Sequence, residues 1–222
     1  MAINSFPQHF RSHQNTILEL EGQTLKGSDP IFSSCGILSV MKFPNLKFEK
    51  ELWHKGFKYV CGLDEVGRGS WAGPVVAAAV IFPHQKGLTL WRLLRRHKIR
   101  DSKQLAPKQR ESLDKFIREN CLGYSICETS VKTINREGIV KAAQRTFRKC
   151  LKEIKPQPDF VLVDAFYIKY LAKKNQKPII KGDQKSVTIA AASIIAKVYR
   201  DNLMVKLHEE DSRNSFDLHK GY

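Results

Sequence analysis

The chain reads as an α/β fold, a mixed five-stranded sheet flanked by helices, and three observations predict it. Short apolar runs bounded by Gly and Pro recur at 59–63 and 75–82, the pattern of buried strands. Two later stretches, 134–151 and 187–207, repeat apolar residues every three or four positions or are apolar nearly all round, as packed helices are. The resulting order, β-β-β-α-β-α, opens with successive strands, so the sheet is mixed and not doubly wound. At 222 residues the chain accommodates one substantial domain, or one domain and a tail.

Residues 1–40 are rich in Ser, Gln, Asn and Gly without a sustained period and are expected to form a flexible N-terminal extension. Were Met41 the true translation start, that extension would fall outside the protein. Residues 41–222 form the folded domain, with regular signals from Phe57 onward. The first two strands are adjacent, and between them GLDEVGRGSWAGP carries Gly62, Gly67, Gly69 and Gly73, so the backbone there can take positive φ and approach a ligand closely. Residues 89–100 are strongly basic with an apolar edge of Leu90, Leu93 and Leu94, a solvated helix.

Pro107 starts a helix over about 106–119, continued by Leu113, Phe116 and Ile117. A third strand follows at 123–129. Ile134, Ile139, Ala142, Ala143, Phe147, Cys150 and Leu151 then share one helical face, with Lys141, Arg145, Arg148, Lys149 and Lys152 on the other. Pro156 and Pro158 end that helix, and a fourth strand at 160–163 runs straight into Asp164. A short fifth strand at 178–180 and a long, deeply packed helix at 187–207 complete the fold, with Asp183 just ahead of the helix.

Lys and Arg number 38 against 22 Asp and Glu, a net charge of +16, which is the footprint of a polyanion binder. DNA, RNA and acidic lipid all satisfy it. The longest weakly polar run, 71–82, contains Gly73 and Pro74 and is far shorter than the roughly 20 apolar residues of a membrane span. The basic helix at 89–100 has too narrow an apolar edge for membrane attachment. The first residues lack a basic start, an apolar stretch and a small-residue cleavage site, so a cytoplasmic location is expected. Five cysteines, odd in number and without CxxC spacing, fit small buried reduced hydrophobes better than a zinc site or disulfide frame.

Asp64 and Glu65 stand at a strand-to-loop junction, Asp164 ends another strand, and Asp183 precedes a buried helix. If the first and fourth strands pair side by side, the four acids meet, and their mutual repulsion demands a counterion. Mg²⁺ or Mn²⁺ answers that demand, and two such ions would suit phosphoryl hydrolysis. A cationic protein with an acidic metal pocket would read as a nuclease. Spacing alone equally allows a turn residue, a solvated charge, a strand cap and a helix cap.

The blocks GLDEVGRGSWAGPVVAAAVIF (62–82), RDSKQLAPKQRESL (100–113), VDAF (163–166), KGDQKSVTIAAASIIAKVYRD (181–201) and HKGY (219–222) resemble, in the same order, those of bacterial ribonuclease HII. The resemblance implies an RNase H-like catalytic domain with a four-acid metal site formed by Asp64, Glu65, Asp164 and Asp183, holding Mn²⁺ or Mg²⁺, two ions during catalysis. It implies cleavage 5′ to a ribonucleotide in duplex DNA, or of the RNA strand of RNA/DNA hybrids, leaving 3′-hydroxyl and 5′-phosphate ends during DNA replication and repair. A monomer acting on nucleic acid is expected.

By the same resemblance, Gly67, Arg68 and Gly69 match the element that engages the ribose 2′-hydroxyl, where a Cβ would hold the sugar off. Lys103 and Lys181 resemble phosphate-holding residues, and Asn135 a backbone contact, although each also reads as an ordinary surface residue and Asn135 as a helix N-cap. Asp101 would orient its loop. Tyr222 matches the tyrosine that packs on the deoxyribose after the ribonucleotide and so requires an RNA-to-DNA junction. Family members continue beyond this point with a further helix and basic tail, so the chain reads as truncated.

Ser70-Trp71 replaces a more usual Pro and aliphatic residue; Trp71 either packs, the preferred reading, or stacks on nucleic acid. The GRG element and the short polar N-terminal stretch argue against the sister family, ribonuclease HIII. Ser193 and Lys197 share a helical face, but apolar surroundings disfavour a nucleophile pair. His208 and His219 lack partners at ligand spacing. The competing reading is a catalytically impaired basic fragment of the same fold that binds nucleic acid without turnover.

Overall fold

A computed structural model describes residues 43–84, 102 and 105–222, all within the compact unit Met41–Tyr222. The predicted N-terminal extension, the basic stretch at 89–100, Asp101 and Lys103 lie outside the described residues. The elements run α1 (Lys47–His54), β1 (Val60–Val66), β2 (Val75–Ile81), α2 (Pro107–Asn120), β3 (Gly123–Thr129), α3 (Val131–Glu137), α4 (Ile139–Glu153), β4 (Phe160–Asp164), β5 (Gln176–Ile179), α5 (Val187–Glu210) and α6 (Phe216–His219). No described helix is long and apolar enough to cross a membrane.

The strands form one mixed sheet in the order β3-β2-β1-β4-β5. β1 pairs antiparallel with β2, and β2 with β3, whereas β4 lies parallel to both β1 and β5. Strand alternation divides the core. Val60, Val76, Ala78, Val80 and Leu162 meet the apolar first half of α5 on one face. Cys61, Leu63, Ala77, Ala79, Ile81 and Val163 meet Phe147, Cys150 and Ile154 of α4 on the other. Cys61, Cys127 and Cys150 are buried, and burial pushes the Cys61 thiol up to about 12, so it packs as a hydrophobe. A Cβ at Gly62 would run into the Thr188 backbone, so β1 and α5 touch main chain to main chain.

Several expectations are corrected. Order begins before Phe57: α1 carries Glu49, Leu52 and Trp53 into the core, but eight residues are too few for a countable period. The helix expected at 134–151 is two helices, because Gly138 at φ 82° breaks the spiral; Ser130 caps the first by accepting from the Thr133 amide. Asp64 and Glu65 lie inside β1 opposite Ala78 and Ala77, not at its junction with the loop. The fifth strand starts earlier, at Gln176.

Candidate active site

The parallel pairing of β1 with β4 builds the site. The register runs to Leu63 opposite Val163, so Asp64 and Asp164 are the next residues of two neighbouring strands. Asp64 is buried at 6% exposure, and its Oδ1 accepts from the Glu65 amide at 2.8 Å. Burial, then Glu65, then Asp164 push its carboxyl well above the ordinary range, while a hydrogen bond from Ser193 of α5 opposes the shift. Asp164 Oδ1 accepts from the Gly182 amide at 2.8 Å. That bond fastens the turn Gly182–Gln184, which carries Asp183, to the end of β4.

Glu65 follows Asp64 along a strand and so takes the opposite face. Its Oε1 lies 3.7 Å from Arg68 Nη1, and the Arg68 guanidinium stands 4.5 Å from the centre of the Phe166 ring. Burial pushes the Glu65 carboxyl up to about 7; Arg68 opposes the rise and Asp164 adds to it. Glu65 Oε2 is buried without a hydrogen-bond partner among the described residues. Arg68 also borders a cavity of about 300 Å³ with Gln144, Phe166, Tyr167 and Lys169.

Acidic groups therefore crowd together with Arg68 as their near cation, and among the described residues an oxygen atom is left unsatisfied; the donor set, all carboxylate once ionised, fits a hard divalent cation in chemistry and charge. Among the described residues no three His, Cys, Asp or Glu side chains stand close enough together to hold an ion as they are placed. The alternation of Asp64 and Glu65 across the sheet separates two of the four acids.

The other predicted contacts fall into two groups. Gly67, Arg68 and Gly69 leave the end of β1, and the loop they open is bonded to the turn that carries Tyr222: the Trp71 and Ala72 amides donate to the Gly221 carbonyl at 2.9 and 3.3 Å. Lys181 is exposed in a left-handed conformation, φ 56°, at the head of the Asp183 turn. Asn135 is exposed on α3, away from the cap that Ser130 provides, and no described contact ties it to the acids. His219 does not stand alone: its Nδ1 accepts from the Gly221 amide at 3.0 Å, leaving Nε2 to donate to the Asn214 carbonyl at 2.7 Å.

Trp71 is 96% exposed, which overturns the packing reading. Its amide is bound to the C-terminal turn, so the backbone is fixed while the indole is turned outward. Gly67 has a reason of its own to lack a side chain. A Cβ there would lie 2.6 Å from Arg200 Nε and from the Pro74 carbonyl, so internal packing already demands glycine, whereas a Cβ at Gly69 meets nothing within 4 Å.

Sequence reasoning missed the bond of Ser193 to Asp64, and it missed Arg200 and Glu49 altogether. Ser193 pairs with Ser102, Oγ to Oγ 3.0 Å, besides reaching Asp64, and Lys197 instead pairs with Asp201 at 2.8 Å. Arg200 lies on the buried face of α5, and a charged residue at that position of the helical period was the available signal. Glu49 gave none, since a charge in a short polar segment reads as solvated.

A family model described as Ribonuclease HII matches residues 61–222. A ribonuclease HII of Ruminiclostridium cellulolyticum is 43% identical over 177 residues, 80% of this chain and 66% of that protein. One of Acholeplasma laidlawii is 42% identical over 182 residues, 82% of this chain and 85% of that protein. Among solved structures, ribonuclease H2 from Pyrococcus horikoshii OT3 superposes with TM-score 0.60 at 29% identity, covering 70% of this chain and 78% of that one. Bst-RNase HIII in complex with Mn²⁺ shares the fold with TM-score 0.54 at 23% identity, over 69% of this chain and 55% of that one.

Proposed function

The chain belongs to the ribonuclease HII family, and from that premise we propose that it is a metal-dependent endonuclease. Its substrate would be duplex DNA carrying ribonucleotides, cut on the 5′ side of the ribonucleotide, or the RNA strand of an RNA/DNA hybrid, with 3′-hydroxyl and 5′-phosphate products. Ribonucleotide removal during DNA replication and repair is the corresponding role, carried out by a cytoplasmic monomer. In this reading residues 41–222 are the catalytic domain and 1–40 an extension.

The observation that carries the proposal is the placement of Asp64, inside β1, beside Asp164, at the end of the parallel strand β4, with the Asp183 turn fastened to Asp164. Asp64, Glu65, Asp164 and Asp183 would hold Mn²⁺ or Mg²⁺, which when bound activates water and stabilises the leaving oxygen. The chain's own residues do the rest. Ser193 orients the Asp64 carboxylate, Arg68, Lys103 and Lys181 hold phosphate, and Asn135 contacts the backbone. The Gly67–Gly69 segment meets the ribose 2′-hydroxyl, and Tyr222 packs on the following sugar. The net charge of +16 draws the duplex in.

The test is nicking of a duplex with one embedded ribonucleotide. Asp64→Asn is expected to abolish Mn²⁺-dependent nicking while duplex binding stays within about tenfold. Cleavage at the normal rate by that variant would refute the assignment. Salt-dependent binding by the unaltered chain with no nicking in Mn²⁺ or Mg²⁺ would favour the binding fragment without turnover.

A further inference from the structure

Arg200 of α5 is wholly buried, and its hydrogen-bond partners are carbonyls and a hydroxyl in place of a carboxylate. Nε donates to the Pro74 carbonyl at 3.1 Å; Nη2 donates to Ser70 Oγ at 2.8 Å and to the Ala72 carbonyl at 2.7 Å. Nη1 reaches the opposite way, to the Lys220 carbonyl at 2.8 Å. The Tyr222 ring stands 5.2 Å from the same guanidinium and 4.8 Å from Lys197 Nζ.

Burying a guanidinium without an ion-pair partner is expensive, and burial lowers its pKa. The return is geometric. Residues 67–74 and 220–222 have no strand ladder to fix them, and one planar fork satisfies carbonyls in both. The backbone conforms to the fork: Gly67 at φ 94° leaves room for Nε, and at Gly221, φ 85°, a Cβ would lie 2.6 Å from the Ala72 carbonyl.

We propose that Arg200 is a positioning and specificity-determining residue that locks the 67–74 loop to the 220–222 turn, so that the two recognise successive sugars as one unit. This rests on the preceding reading of what Gly67–Gly69 and Tyr222 contact. A substrate whose second sugar does not fit Tyr222 then also loses its grip at the loop, because neither segment can shift alone. Discrimination between a single ribonucleotide in DNA and a continuous ribonucleotide tract follows from that rigidity.

The experiment compares the full chain with Arg200→Lys, which keeps the charge and loses the fork. It measures kcat/KM on a duplex with one ribonucleotide and on an RNA/DNA hybrid, together with hydrogen exchange at the Trp71 and Ala72 amides. The lock predicts that Arg200→Lys erodes the preference for the single ribonucleotide by about tenfold, leaves hybrid cleavage within about threefold, and speeds exchange at both amides. Equal loss on both substrates, an unchanged preference, or an unaltered chain that cleaves both without preference overturns it. Should Arg200→Lys not fold, Ser70→Ala decides: it removes one partner of Nη2 from a loop position and must shift the same preference in the same direction. A chain that nicks no ribonucleotide-containing duplex at all refutes the functional reading itself, a separate outcome.

Discussion

The Glu49 carboxylate accepts the Ser186 hydroxyl at 2.6 Å across 137 positions of sequence. The same oxygen accepts from the Thr188 amide at 3.0 Å and the Thr188 hydroxyl at 2.9 Å, while Ser186 Oγ accepts from the Ile189 amide. Two of the orphan amides at the head of α5 are thereby satisfied. Asn45 adds main-chain bonds to Lys185 and Val187. The segment before β1 thus braces, from behind, the stretch that follows Asp183.

Glu49→Ala strips three donors of their acceptor and leaves a void, and is expected to cost about 2–4 kcal/mol in urea unfolding. Glu49→Gln keeps the accepting oxygen and should cost about 1 kcal/mol or less. Equal losses for the two would show that hydrogen bonding is not the reason for the buried carboxylate.

Gly67→Ala and Gly69→Ala should separate cleanly. The first forces a side chain onto Arg200 and Pro74 at φ 94° and is expected to lower stability by about 2 kcal/mol or more. The second meets open space and should hold stability within about 0.5 kcal/mol while impairing cleavage at an embedded ribonucleotide. Thermal melts and nicking assays on both variants check this.

Burial pushes the Glu65 carboxyl up to about 7 from its ordinary 4.5. Between those values the folded protein holds a proton that the unfolded chain has released, so metal-free stability falls as pH rises through that window. Asp64, shifted in the same direction, adds to the effect. The metal-free melting temperature should drop by a few degrees from about pH 5 to about pH 8, and Mn²⁺ should raise it more at the upper end than at the lower. A melting temperature that climbs over this range without metal would contradict the electrostatics of the site.

Trp71→Ala should leave the melting temperature unchanged within about 1 °C, because an indole at 96% exposure packs on nothing. Duplex affinity is expected to fall about threefold to tenfold if the ring stacks on the substrate. Titration of Trp71 fluorescence with a non-cleavable duplex, in the background of Trp53→Phe and Trp91→Phe, reads the contact directly.

The strands and the long helix were legible because their residues are buried on a simple period: β3 and the apolar start of α5 fall where the pattern puts them. Pairing of β1 with β4, on which the meeting of Asp64 and Asp164 depends, followed from the chain order only as a condition. The break at Gly138 was hidden because one apolar stripe continues through both helices. The partners of Glu49 and Arg200 were illegible for a common reason. Each is a charged residue whose partners are mostly backbone atoms and hydroxyls far away in sequence, and such partners leave no mark on composition or period.

Gly62 sets the reach required of the chemistry beside it. With no side chain there, strand and helix are pinched together at Thr188. Two residues further along β1 and five along α5, about 7 Å of travel in each, the gap is still narrow enough for a serine to span it to Asp64. A methyl group at position 62 would act as a wedge, prising the layers apart until Ser193 fell short, and the damage would register at a carboxylate that the mutation never touched.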